Sequence, residues 1–216
     1  MASVRVARPS RGAGAIAAIA CAQAVFAAGS VTDFDAGASG WVAVTGQASW
    51  SPTGGVPGGY LAVASAPSAF GVVEGPASYT GDLSAFDAGV FTFDASVVAR
   101  GYQVPGTPPI GSVPDRYRVV VTIEGANSQA AMFQSAWLDP SPRWQGVSID
   151  MNASTFGVSE ATWSSILSNV ASIRIGADGQ SYIFPFTFGL DNIALVPAPS
   201  IAGVVLAGAA CLGVRR

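Results

Sequence analysis

Neither histidine nor lysine occurs among the 216 residues; all ten basic residues are arginine. That removes histidine-based nucleophilic triads, Schiff-base lysines, phosphate-loop lysines and histidine-ligated zinc. What remains for proton transfer or ion binding is 13 carboxylates, of which only Glu74, Glu124 and Glu160 are glutamates. Hydrolysis of a glycosidic bond needs two carboxyl groups held roughly 5 to 10 Å apart. None of the three glutamates lies in a motif that marks such a pair, so the residues point away from an enzyme. Aromatic side chains offer a second chemistry. Trp50, Tyr60, Tyr102, Trp137 and Trp144 are candidates for stacking on sugar faces, although most of them are expected in the core, where aromatics supply much of the buried area.

The charge is unevenly spread. All 13 acids lie between Asp33 and Asp191, with five arginines among them (Arg100, Arg116, Arg118, Arg143 and Arg174), so this stretch carries −8 against −3 for the whole chain. Such a body repels phosphate backbones, which excludes nucleic acid as a partner. It is compatible with cations or neutral glycans. Cys21 and Cys211 fall in the two apolar ends, so the body has no disulfide framework and depends on its core. About 165 residues suffice for one domain with a proper core.

The two ends read as addresses. Arg5, Arg8 and Arg11 precede an apolar run over 13–26, and small residues follow. This is the order of a secretory signal over residues 1–28, with cleavage after Ala24, Ala27 or Ala28. A lipid attachment at Cys21 is the weaker alternative, since Ala18-Ile19-Ala20 lacks the usual leucine. At the other end, Val196-Pro197-Ala198-Pro199-Ser200 leads into an apolar run over 201–214 and then Arg215-Arg216. The run is short of the ~20 residues of an ordinary spanning helix. The terminal arginines suit the cytoplasmic side. This order resembles the PEP-CTERM sorting tail of Gram-negative bacteria, with Val-Pro-Ala-Pro in place of Pro-Glu-Pro. The resemblance implies a tail over 197–216 that is cut by an exosortase-type enzyme, transient anchoring in the inner membrane, and delivery to the cell surface or extracellular matrix. A plain C-terminal membrane anchor is the alternative.

Between the ends the texture is short strands and turns, with 26 glycines and 14 prolines in the whole chain. Residues 41–44 and 48–50 flank Thr45-Gly46-Gln47 and predict a hairpin. A Gly/Pro loop over 51–59 leads to a strand at 60–63. Residues 90–95 alternate with period two. A second proline-rich loop covers 103–114, and residues 116–124 form the clearest strand. One helix stands out: Ser159 is a candidate N-cap, Glu160 lies in the first turn, and Trp163, Ile166, Leu167 and Val170 form one apolar stripe. Closing strands follow at 172–175 and 186–195. Many short strands without a βαβ rhythm predict an all-β, antiparallel two-sheet sandwich.

Several pieces occur in a telling order. Asp33-Phe34-Asp35, Gly40-Trp41 and Gly58-Gly59-Tyr60 resemble the start of jelly-roll glycan-binding modules. Pro76 and residues 79–86 lead to the strand at 90–94, and then come 144–149, the helix at 161–167, 173–175 and 189–195. Together these resemble the laminin B module (laminin domain IV) in its bacterial form, over residues 31–196. The resemblance implies a jelly roll of the galactose-binding-like kind, outside the cell, without catalytic residues. Many modules of this shape hold a structural Ca2+ where the first and last strands meet. Asp33, Asp35 and Asp191 sit near those places, and a cation there would offset part of the −8.

The expected protein is therefore an exported, non-catalytic surface or matrix component; a glycan-binding module that anchors to extracellular polysaccharide is the alternative. The mature chain should begin between Val25 and Gly29 and end near Pro197 to Ser200. Mass spectrometry of the envelope fraction checks this, and an intact 216-residue chain recovered from the cytosol would refute it.

Overall fold

The computed structural model describes residues 29–65, 70–100, 116–139, 144–179 and 186–198. The expected signal segment, Pro199, Arg215, Arg216 and Tyr102 lie outside them. Eleven strands occur among the described residues: β1 (Ser30–Thr32), β2 (Val42–Thr45), β3 (Gln47–Ser51), β4 (Tyr60–Ala64), β5 (Gly71–Glu74), β6 (Val90–Arg100), β7 (Tyr117–Gly125), β8 (Ala130–Gln134), β9 (Gln145–Asp150), β10 (Val170–Gly179) and β11 (Phe186–Val196). A single α-helix, α1 (Glu160–Leu167), lies before β10, and two short 3-10 turns (Ala77–Tyr79 and Ser84–Phe86) lie before β6.

The strands form two sheets. The first runs β3-β4-β11-β6-β9, with β1 also on β11; the second runs β2-β5-β10-β7-β8. Every pairing is antiparallel. The protein is thus an all-β, two-sheet antiparallel sandwich with one short helix among the described residues, as the residue pattern predicts, and of the jelly-roll type that the resemblance implies.

Alternation builds it. Along β7, Tyr117, Val119, Val121 and Ile123 are wholly buried, while Arg118, Val120, Thr122 and Glu124 face outward and are half-buried. Their period-two spacing puts each set on one face of the sheet. Phe91 and Phe93 from β6, and Phe188 and Leu190 from β11, fill the core from the first sheet. Helix α1 closes the sandwich. Ser159 Oγ accepts a hydrogen bond from the Thr162 backbone N–H at 3.2 Å, the N-cap expected from the sequence. Trp163 is fully buried, stacks on Phe156 with ring centroids 4.8 Å apart, and donates its indole N–H to Asp87 Oδ1 at 2.9 Å. The helix stops at Leu167, and Val170 instead opens β10.

The ends of the sandwich meet. Ser30, Val31 and Thr32 pair with Leu195, Ala194 and Ile193. Buried Tyr79 fastens the junction by donating its hydroxyl to the Ile193 carbonyl at 3.0 Å.

The expected hairpin at 41–50 does not form. Only Gly46 separates β2 from β3, yet β2 pairs with β5 in the second sheet and β3 with β4 in the first. Gly46 has a φ of 78° and passes so close to the Ala64 carbonyl that a Cβ would collide with it. The residue is a corner between sheets, which only glycine can occupy. Gly81 has a similar φ of 89°, but a Cβ added there would meet nothing within 4 Å. Gly81→Ala should therefore cost only the left-handed backbone penalty of about 1–2 kcal/mol. Gly46→Ala should cost about 1–3 kcal/mol more, from overpacking against backbone. Urea unfolding of the two variants tests this, and equal losses would show that the corner tolerates a side chain.

Candidate functional site

The outward face of the second sheet holds a groove of about 440 Å3. Its floor is made where strands β5, β10 and β7 lie side by side. Gly176 of β10 pairs with Val72 on one side and Val120 on the other, so the centre of the floor carries no side chain. Val44 and Phe70 border one side, and Met132 and Gln134 of β8 also line it. Two ion-paired clusters stand at i±2 from Gly176 along β10. At one end Arg174 Nε lies 2.8 Å from Glu74 Oε2, and its Nη1 lies 3.2 Å from Glu124 Oε2. At the other end Arg118 Nε donates to Asp178 Oδ2 at 2.9 Å, and its Nη2 lies 2.7 Å from the same oxygen.

Arg118 is held on further sides. Its Nη1 donates to Gln134 Oε1 at 2.9 Å, and its guanidinium lies over the Trp137 ring, 4.9 Å from the centroid. Asp178 is only 2% exposed, and its Oδ1 has no hydrogen-bond partner. A buried carboxylate oxygen without a donor is costly. The groove thus joins an apolar floor with a small number of fixed polar groups, the usual make-up of a ligand site.

The expected cation residues lie elsewhere, beside the first sheet. β4 and β1 both pair with β11 on the edge opposite β6, through Leu190 and Ile193 respectively, which leaves Asp191 and Asn192 between them. The register against β6 also shifts here, and Asn192 has a φ of 50°. The loop between β3 and β4 folds over this gap. Val56 donates its backbone N–H to Asp191 Oδ2 at 2.6 Å, and Asn192 donates its own to Oδ1 at 2.8 Å. Asn192 Nδ2 donates to the Val56 carbonyl and to Asp94 Oδ2, the latter at 2.8 Å. Side chains at Gly55 and Gly58 would run into Asp191 and Asp35, so these glycines let the loop lie against both carboxylates.

Asp191 is wholly buried. Burial pushes its carboxyl above the usual carboxylate range, and the negative charges of Asp94 and Asp35 push the same way. The two backbone N–H groups act in the opposite sense. The structure therefore brings Asp35 and Asp191 towards one another. Asp33 remains exposed, its Oδ1 accepting the Asp35 backbone N–H at 3.2 Å. Among the described residues no three carboxylate, cysteine or histidine side chains stand close enough together to hold a metal ion.

The candidate aromatics among the described residues are not core residues. Trp50 and Trp137 are exposed, and Tyr60 and Trp144 are half-buried. Trp50 donates its indole N–H to the Phe34 carbonyl at 2.6 Å, and Trp144 to the Gly54 carbonyl at 2.8 Å. Tyr60 meets Trp144 edge-on at 5.5 Å. Tyr60 and Trp144 thus fasten the 51–59 loop, and Trp50 fastens the turn at Phe34. The core aromatics are instead Phe34, Trp41, Tyr79, Tyr117 and Trp163, together with the phenylalanines of β6 and β11. Of the four candidates among the described residues, Trp137 alone stands beside the groove. Arg118 and Asp178 carry no motif and escape a reading by pattern. Their only signal is that the charges of the two strands, Arg118 and Glu124 in β7 and Arg174 and Asp178 in β10, share the register opposite to the apolar positions.

No family model and no curated protein sequence matches the chain. Solved structures share the fold. An exo-β-agarase matches with a TM-score of 0.53 and 14% identity, over 78% of this chain and 25% of that one. The chain thus spans about a quarter of the agarase. The L4b domain of human laminin α-2 matches with a TM-score of 0.44 and 15% identity, over 61% of this chain and 71% of that domain. The CBM22-1 xylan-binding domain from Paenibacillus barcinonensis Xyn10C matches with a TM-score of 0.48 and 12% identity, over 79% and 94%. At 14% identity the likeness to the agarase concerns the fold alone.

Proposed function

We propose that this domain is a non-catalytic glycan-binding module, with the outward groove of the second sheet as its binding face. The observation that carries the reading is the groove itself: an apolar strip with Gly176 at its centre, flanked at both ends by ordered polar groups. A sugar ring offers a C–H face to such a strip and hydroxyls to such ends. The carboxylates of the groove are each held by an arginine: Asp178 by Arg118, and Glu74 and Glu124 by Arg174. None is poised as a free acid or base, which supports binding rather than hydrolysis.

The same reading keeps the addresses at the two ends. A signal over 1–28 exports the chain, and the tail from Val196-Pro197-Ala198-Pro199 to Arg215-Arg216 hands it to an exosortase-type enzyme. The module then works at the cell surface or in the matrix, where polysaccharide is its partner.

A structural Ca2+ belongs to the proposal as a second, separable part. Its support is a wholly buried Asp191 that feels the negative charges of Asp94 and Asp35, with no arginine paired to it among the described residues. The side chains alone fall short of the six to eight oxygens calcium takes, so Asp35 and Asp191 need backbone carbonyls to complete a shell. Asp33 and Asp35 are both exposed, but only Asp35 acts on the charge of Asp191, so Asp33 fits least.

Affinity electrophoresis through gels containing soluble xylan or agarose should retard the protein without releasing sugars, and Trp137→Ala should weaken retardation by about tenfold or more. Migration unaltered by these and by other polysaccharides would refute the binding reading. Protein stripped of metal should melt about 5 °C or more higher in millimolar calcium than in chelator. Asp35→Asn should remove most of that difference. Identical melting curves would dismiss the ion and leave the glycan reading intact.

A further inference from the structure

The groove carries a polar group whose orientation is fixed and whose hydrogens are short of an acceptor. We infer that Gln134 of β8 is a ligand-binding residue of the groove: its side-chain N–H donates to an oxygen of the bound glycan while its carbonyl stays on Arg118. The inference rests on the glycan-binding reading and deepens it.

Chemistry decides which way the amide points. A guanidinium has five N–H donors and no acceptor. The atom of Gln134 that faces Arg118 Nη1 at 2.9 Å is therefore Oε1. Nε2 is turned to the other side, and its one partner among the described residues is Met132 Sδ at 3.9 Å. A thioether is a weak acceptor. An amide nitrogen with two hydrogens is thus left short of an acceptor, on an exposed residue that lines the groove.

Register sets that donor in line with the floor. Val72, Gly176, Val120 and Gln134 are successive cross-strand partners, so they form one row from β5 to β8. Neighbouring strands lie about 4.8 Å apart, which puts the backbone of Gln134 about 10 Å from that of Gly176. A sugar ring has apolar C–H faces and oxygens around its edge. A ring lying on the floor at Gly176 and Val120 therefore turns an edge towards Gln134, and the floor takes the C–H face while the amide takes an oxygen.

The donor is ordered before a ligand arrives. Arg118 is held by Asp178 Oδ2 and lies over the Trp137 ring, 4.9 Å from its centroid. Gln134 is tied to that assembly through Oε1. A long side chain already held in this way loses less freedom on binding, so more of its hydrogen bond appears as affinity. Asp178 is too deeply buried to meet a ligand itself, and its part is to anchor the arginine that orients the amide.

Calorimetry of the full chain with xylohexaose and neoagarohexaose tests this. The wild type should bind at least one of them. Gln134→Glu keeps an oxygen for Arg118 and puts an acceptor where the amide donor was. It should lower affinity for the bound hexasaccharide at least tenfold, about 1.4 kcal/mol, with a circular dichroism spectrum like that of the wild type. Gln134→Ala removes both groups and should weaken binding as well. A further measurement does not depend on a variant folding: the side-chain amide 15N resonance of Gln134 in the wild type should move on titration with the bound hexasaccharide. Wild-type affinity in folded Gln134→Glu, or a stationary amide resonance at saturation, would overturn the inference while leaving glycan binding in place. Weakened binding in Gln134→Ala beside wild-type affinity in Gln134→Glu would overturn it too, because the residue would then serve only to hold Arg118. A wild type that binds neither hexasaccharide overturns the inference, and if no polysaccharide retards it in a gel, the underlying reading falls with it.

Discussion

The last strand of the domain lies in the middle of its first sheet, and the rest of the sandwich depends on that placement. β11 pairs with β6 on one edge and with both β4 and β1 on the other. Its residues Phe186, Phe188, Leu190, Ile193 and Leu195 are buried. Until β11 arrives, the first sheet is two separate strand pairs and a lone β1, and the inner face of the second has no continuous sheet to pack against. The chain must therefore bring together contacts separated by well over 100 residues, such as Thr32 with Ile193, before most of the apolar burial is realised. Loop-closure entropy is lost before non-local contacts compensate for it, so such topologies fold slowly and cooperatively.

The gap in β11's pairing has a cost and a use. Asp191 sits where β4 ends and β1 begins, so its neighbours on that edge are a loop and not a strand. Its carboxylate replaces the missing ladder by accepting N–H groups from Val56 and Asn192. Asn192 answers the carbonyl of Val56 with its side-chain amide. Two side chains thus complete hydrogen bonds that a regular strand makes with backbone alone. On the other sheet the division of labour is cleaner. The residues that build the core and those that build the groove alternate along the same two strands, β7 and β10. Ile173 and Ile175 are fully buried, whereas Arg174 and Asp178 belong to the opposite face. A slip of one residue in either strand would exchange the two sets.

Much of the architecture was legible because it is local. The alternation of 116–124 and the cap and stripe of α1 each need only a few neighbouring residues to be read. The pairing of β2 and β3 with different sheets was not, because Thr45-Gly46-Gln47 has the composition of a hairpin turn; what decides it is the carbonyl of Ala64 crossing beside Gly46. The site was harder still. Asp178 looks like a strand-end acid until Arg118, 60 residues away in the chain, is laid against it. Trp50 and Trp144 look like sugar platforms or core residues, yet their indole N–H groups are taken up by loop carbonyls. In each case the missing information is a long-range partner, which composition and spacing do not carry. Asp191 differs, since its position within the closing strand was enough to place it beside the start of the domain.

The pairing of Ser30 with Leu195 has a mechanical consequence. Paired residues of antiparallel strands stand about 5 Å apart, so the chain enters and leaves the domain at almost the same point. Such a unit can hang from a neighbouring segment on either side, or be spliced into a longer polypeptide, without stretching its host. Its leads emerge from the first sheet, while the groove opens on the far face of the second. Tension on a tether attached there would peel three residue pairs of β1 before it disturbed the strands that frame the groove. The domain is wired like a pendant, with its point of suspension on one side and its reading face on the other.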